Sequence, residues 1–187
     1  GAVGTAFHYS VEYVTKYRDS HSWIIYLLPL AGLVIIFLYR SCGLKHDKGT
    51  NLVIGSIRNS EYNVPFRMAP LIFISTAITH LFGGSAGREG AALQIGGSIG
   101  ASIGKLVKMN DNDKHIMTLC GMSAVFAALF GTPVTAALFS VEVISIGILY
   151  YSALVPCILS ATIAYAITEK FHITPTYLSL IHISEPT

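Results

Sequence analysis

Charge is what this chain has least of. Only 12% of its 187 residues are Asp, Glu, Lys or Arg, about half the roughly 25% of a soluble domain. With a mean hydropathy of +0.60, that scarcity argues against an ordinary soluble domain and for an integral membrane protein. Basic residues are not gathered with aromatics into a patch, and the net charge is only +2, so nucleic acid is not a partner. The three cysteines, Cys42, Cys120 and Cys157, are far apart in the sequence and lack metal-ligand spacing, so free thiols are expected and no metal site. The glycines and lysine of residues 100–105 lack phosphate-loop spacing and a following Ser or Thr, which removes a phosphate cradle. No cofactor is implied.

What the chain does have is long apolar runs, and one of them is unusual. Residues 83–104, GGSAGREGAALQIGGSIGASIG, place Arg88 and Glu89 among glycines, alanines and isoleucines. An ionisable residue at membrane depth costs on the order of 2.5–3.5 kcal/mol on insertion scales, so a functional role is the default reading. Glycines before the pair and helix formers after it predict an irregular loop feeding a helix N-terminus. Such an end carries roughly +0.5 elementary charge and unsatisfied N–H groups. Carboxylates and mobile anions both bind there, so Glu89 and a permeating anion are expected to share one site. The competing structural reading is a tight helix crossing with Arg88 and Glu89 as a buried ion pair. It is the weaker one, because apolar replacements of buried pairs are often neutral or stabilising.

Around this stretch, long helices alternate with short or broken ones. Residues 1–17 read as the end of a helix, with Tyr9, Tyr13 and Tyr17 at i+4 spacing as an interface belt and His8 and Glu12 as a surface pair. Residues 22–39 are long enough to span, with a kink at Pro29. From Arg40 to Arg67 the basic residues Arg40, Lys45, Lys48, Arg58 and Arg67 outnumber Asp47 and Glu61, which puts this segment on the cytoplasmic side. Within it, residues 50–57 are apolar but too short to cross, as in a re-entrant piece. Residues 64–82 read as a second span, with His80 packed and hydrogen-bonded near its end. In the helix expected over 89–107, Ala92, Gly96, Gly100 and Gly104 recur every four residues, spacing that lets another helix come close. Residues 105–114 read as a polar loop and 115–130 as the next helix. Pro133 opens a helix whose one charge is Glu142, a relay or a structural acid. Residues 149–167, with Pro156 inside, form the last span. Broken helices meeting near midplane are how several transporter folds build ion sites.

Two segments carry a family resemblance. GREGAALQIGGSIGASIGKL resembles the GREGP signature of the CLC chloride channels and transporters together with its following helix, and FGTPVTAALFSVEV resembles that family's FNAPLAGILF-type segment, in the same order. The resemblance covers residues 1–176, about the first half of the family core, and the GxFxP-bearing inverted repeat is absent. It implies an all-α, multi-helix membrane bundle with short, broken and re-entrant helices, first repeat only. The full-length protein is then a homodimer in the lipid bilayer, of a bacterial inner membrane, and its partners are halide anions and protons. Glu89 is implied as the gating glutamate, which leaves the outer anion site when protonated. Backbone N–H groups around Gly87, Arg88, Gly90 and Ala91 frame that site, while the Arg88 side chain steadies the loop through an ion pair or carbonyl contacts. GTNLV falls where the family has GSGIP, so Thr50 stands in for the serine whose hydroxyl faces the anion. The departures are Thr50 itself, Asn51 and Val53 for the glycine and proline, Ala91 for the proline of GREGP, and Val143 where proton-coupled chloride exchangers carry an inner glutamate. The fluoride-exporting branch departs at the serine and the inner glutamate too, which makes fluoride/proton antiport a candidate beside chloride. A passive chloride channel is the alternative.

A hydrolase is the alternative of another class: residues 83–87 match G-x-S-x-G, with Ser85 as nucleophile and His80 or His115 as base. That motif requires a strand before the serine, whereas the run before Ser85 is long enough for a helix, so no enzyme is expected. The chain starts inside an apolar segment, so a longer N-terminus is expected. Residues 178–187, LSLIHISEPT, resemble the translation of a transposase adapter used in sequencing libraries. They are expected to be an artefact outside the 1–177 membrane domain.

Overall fold

The computed structural model describes residues 1–43, 49–58, 64–143 and 151–171, and every element among them is helical. In chain order they are α1 (Ala2–Ser20), a 3-10 segment (Ser22–Leu27), α2 (Leu28–Ser41), α3 (Thr50–Arg58), α4 (Met68–Leu81), α5 (Arg88–Leu106), α6 (Asp111–Phe130), α7 (Pro133–Glu142) and α8 (Tyr151–Lys170). Lys45, Asp47, Lys48 and Glu61 of the segment expected on the cytoplasmic side, residue 149 at the expected start of the last span, and residues 178–187 lie outside the described residues.

The centre is the α5–α6 pair, the most extensively packed among the described residues. The small residues of α5 explain why. A β-carbon added at Gly96 would run into the carbonyl oxygen of Gly121 on α6, and one at Gly100 into that of Met117. The approach is mutual, because a β-carbon at Gly121 would meet the Gly96 carbonyl. The four-residue spacing of Ala92, Gly96, Gly100 and Gly104 is thus a backbone-on-backbone crossing, as its small-residue pattern requires. Helix α1 packs against α4 and α6, with Phe7 and Val11 fully buried and Phe7 edge-on to Phe73 of α4 at 5.4 Å between ring centroids. Helix α8 closes on α6 through a polar seam in which Ser160 donates to the Cys120 carbonyl at 2.6 Å and Ser123 to the Cys157 carbonyl at 3.2 Å.

Several expectations need correction. Pro29 does not kink a long helix; it occupies the first turn of α2, and the preceding residues are wound as 3-10. A proline there gives up an N–H that had no partner to lose. The run over 64–82 contains only the 14 helical residues of α4, about 21 Å of rise against a hydrocarbon core of about 30 Å. It is another short helix, not a full span. The polar loop is shorter than its composition implies, since α6 already begins at Asp111. Asn110 caps it, accepting from the Asp113 N–H at 2.8 Å, and Asp111 and Asp113 sit in the first turn where acids favour the dipole. Gly131, at φ 67°, ends α6 in the left-handed region, and Pro133 then starts α7.

Two segments among the described residues are long and apolar enough to cross a membrane, Ser22–Ser41 and Tyr151–Lys170. Large apolar side chains on them, including Trp23, Leu33, Phe37, Val155 and Leu159, stand exposed. Tyr9, Tyr13 and Tyr17 form an exposed row on α1. The His8–Glu12 pair is formed at 3.7 Å, but His8 itself is turned inward and only 5% exposed.

Candidate functional site

Helix α5 starts without help. Gly87 is its N-cap, in extended backbone at φ −66°, ψ 141°, and no side chain caps the first turn. In this it is like α1, α2, α4 and α7, whereas Asn110 satisfies one of the orphan N–H groups of α6. An uncapped helix start keeps donors and a positive dipole end available for something else.

Glu89 is the one acid in that turn, and its side chain is half-buried. The carboxylate folds back over the helix start: Oε2 lies 2.8 Å from where a β-carbon of residue 87 would stand. Glycine at 87 is what leaves room for it. No ion pair joins Arg88 to Glu89 among the described residues. Arg88 points elsewhere, its Nε donating to Nε2 of His80 at 3.4 Å. His80 is 8% exposed at the end of α4, and Arg18 of α1 donates to its carbonyl at 3.4 Å. The expectation of a packed, hydrogen-bonded histidine holds. The Arg88 partner is an imidazole, not the expected carboxylate or carbonyl. Such a bond requires the neutral ring with Nε2 as acceptor. The buried ion-pair reading of the Arg88–Glu89 dipeptide falls with it.

A second helix start meets the first. Thr50 is the opening residue of α3, half-buried, after Gly49 at φ 60°. Its Oγ1 lies 3.3 Å from where a β-carbon of Gly90 would stand, so it rests against the first turn of α5. Gln94, one turn further along α5, donates through Nε2 to Thr50 Oγ1 at 3.1 Å. The family departures around Thr50 are packing choices: Val53 is fully buried, and its Cγ1 fills the space over Gly97 of α5. Asn51 is exposed. Ala91 is 7% exposed and belongs to the core. The structure therefore brings Thr50, Gly87, Glu89, Gly90 and Ala91 to one place, and turns the Arg88 side chain away from it. The starts of α3 and α5 thus meet at Thr50 and Gly90, and helix N-termini are where anions bind in general.

Other candidates fall elsewhere. Glu142 ends α7 exposed, and Val143 next to it is partly buried against the core. Ser85 is exposed in the loop before α5, and the element preceding it is helix α4, so the strand that a nucleophile elbow needs is not there. His80 is occupied by Arg88. Cys120 and Cys157, remote in sequence, meet across α6 and α8 with 4.0 Å between sulfurs, and all three cysteines are free thiols. Sequence reasoning missed Gln94 and this cysteine contact. The first left a trace, since an amide inside the apolar run after Glu89 has to find a polar partner; the second left none.

Comparisons with known proteins show the family. The profile of the voltage gated chloride channel family matches residues 31–186. A chloride/fluoride channel protein of Pseudomonas syringae pv. tomato is 37% identical over 177 residues, covering 95% of this chain and 39% of that protein. An H+/Cl− exchange transporter of Vibrio vulnificus is 28% identical over 156 residues, or 76% of this chain and 33% of the relative. Among solved structures, that of a CLC-type fluoride/proton antiporter superposes with a TM-score of 0.89 at 34% identity, covering 100% of this chain and 47% of that one. The chain thus spans between a third and a half of the length of these relatives. From the profile match, the relatives and the shared fold together, the chain belongs to the voltage gated chloride channel family.

Proposed function

We propose that the protein carrying this chain exchanges halide anions, chloride or fluoride, for protons across a membrane, with Glu89 as the gating and proton-coupling group. The observation that carries the reading is the Glu89 carboxylate folded back over the start of α5 at Gly87, with the Thr50 hydroxyl resting on the same first turn at Gly90. Ionised, Glu89 occupies the positive helix end itself. Protonated, it loses the charge that held it there, and an anion takes the place. The N–H groups of Gly87, Arg88, Gly90 and Ala91 frame the outer position, and Thr50 supplies a hydroxyl donor further in. The relatives that include an H+/Cl− exchange transporter and a fluoride/proton antiporter support exchange. A passive channel has in its favour Val143, which cannot relay a proton, and the name of the Pseudomonas syringae relative. The full-length protein is placed by this reading as a homodimer in a bacterial cell membrane, its exposed apolar side chains facing lipid or the remainder of the protein.

The test uses the full-length protein in proteoliposomes with an outward halide gradient and external pH recorded. The expected result is halide efflux with protons driven inward against no gradient of their own. Efflux of either halide with no proton movement contradicts exchange and favours the channel.

A further inference from the structure

Several threonine hydroxyls inside these helices spend their hydrogens locally. Thr15, Thr79, Thr118, Thr162 and Thr168 each donate to the carbonyl four residues back, at 2.7–2.9 Å. Thr50 is placed differently. It opens α3, so its own helix has no preceding turn to accept the hydrogen. Its oxygen, however, is occupied. Gln94 Nε2 donates to it at 3.1 Å, and an amide NH2 group is a donor only. With the oxygen accepting from Gln94, the hydroxyl hydrogen is left for a different acceptor. The neighbouring surface is the glycine side of the α5 start: Gly90 is the residue whose missing β-carbon would lie 3.3 Å from Thr50 Oγ1 and 4.0 Å from Gln94 Nε2.

We propose that Gln94 is a positioning residue for anion choice: it holds the Thr50 oxygen as an acceptor, so that the hydroxyl can only donate toward the anion. This rests on the reading of Thr50 as an anion ligand. Fluoride accepts a hydrogen bond more strongly than chloride, so a fixed O–H donor favours fluoride. Gln94 would thereby act on selectivity without touching the anion.

The experiment measures fluoride and chloride efflux from proteoliposomes of the full-length protein, and takes their ratio. Gln94→Met keeps the side-chain length and removes the donor. The expected result is a fluoride-to-chloride ratio reduced roughly fivefold, the worth of one ordinary hydrogen bond. Thr50→Val removes the hydroxyl, and adding Gln94→Met to it should change the ratio no further. A wild-type ratio in Gln94→Met overturns the proposal. So does an equal shift on the wild-type and Thr50→Val backgrounds, because Gln94 would then act independently of Thr50. If Gln94→Met does not fold, Gln94→Glu decides: its carboxylate accepts from Thr50, takes the hydrogen away, and should lower the ratio. An unchanged ratio there also overturns the proposal. Failure of the exchange reading looks different, since wild-type protein would then move no halide or move it without protons.

Discussion

Glutamine in place of Glu89 is expected to leave halide efflux running while stopping the accompanying proton movement. The full-length variant should carry halide at a rate that no longer depends on pH, with no measurable proton flux. The argument is electrostatic. The ionised carboxylate and a halide compete for the same helix start, whose effective charge is roughly +0.5. Glutamine has nearly the shape of protonated glutamate but never acquires the charge, so it cannot hold that end against an anion. It also carries no titrating proton to move. In wild type the same event needs protonation, so efflux should rise as pH falls and decline as pH rises. A Gln variant whose efflux kept the wild-type pH profile would show that Glu89 is neither gate nor carrier. Gly87 is part of this argument, because a β-carbon there would stand 2.8 Å from Oε2 and require the folded-back carboxylate to shift.

Valine at Gly96 should do the most damage to the fold. Its β-carbon would overlap the Gly121 carbonyl, and backbone cannot step aside as a side-chain tip can. Ordinary overpacking costs about 1–3 kcal/mol; here the two most closely packed helices must separate, so the expected loss is at the top of that range or above. Thermal unfolding of the detergent-solubilised full-length protein should show a marked drop for Gly96→Val, with loss of the single sharp chromatographic peak. Gly104→Ala is the comparison, since its β-carbon would meet Lys114 Cγ at 3.3 Å, a side chain with freedom to move. A Gly96→Val protein that unfolds at the wild-type temperature would mean that α5 and α6 are not in backbone contact. Because α5 also carries Glu89 at its start, any displacement of this helix moves the carboxylate too.

These two residues mark how far the sequence could be read. Gly96 and its four-residue relatives announce a helix crossing by spacing alone, and the crossing is there. Glu89 announces itself by being a charge where charge is costly. The short helix α3 was legible because an apolar run of that length cannot cross a bilayer. What escaped was set by helix ends and side-chain partners that hydropathy does not report. The run over 64–82 has the hydropathy of a span, yet its helix starts only at Met68. Asp111 and Asp113 look like loop residues until Asn110 is seen capping the turn that holds them. Arg88 was expected to meet a carboxylate or carbonyl, and its partner is His80 eight residues back. Gln94 reaches Thr50 across 44 residues, a pairing that no local pattern encodes.

The most direct measurement is of protons taken up when a halide binds. Weakly buffered full-length protein in detergent, titrated with fluoride or chloride, should draw protons from solution as each anion displaces the Glu89 carboxylate from the α5 start. The Glu89→Gln protein should bind the same anions with no uptake. Anion binding by wild type with no proton uptake, or equal uptake by both proteins, would contradict the claim that carboxylate and halide take turns at one site.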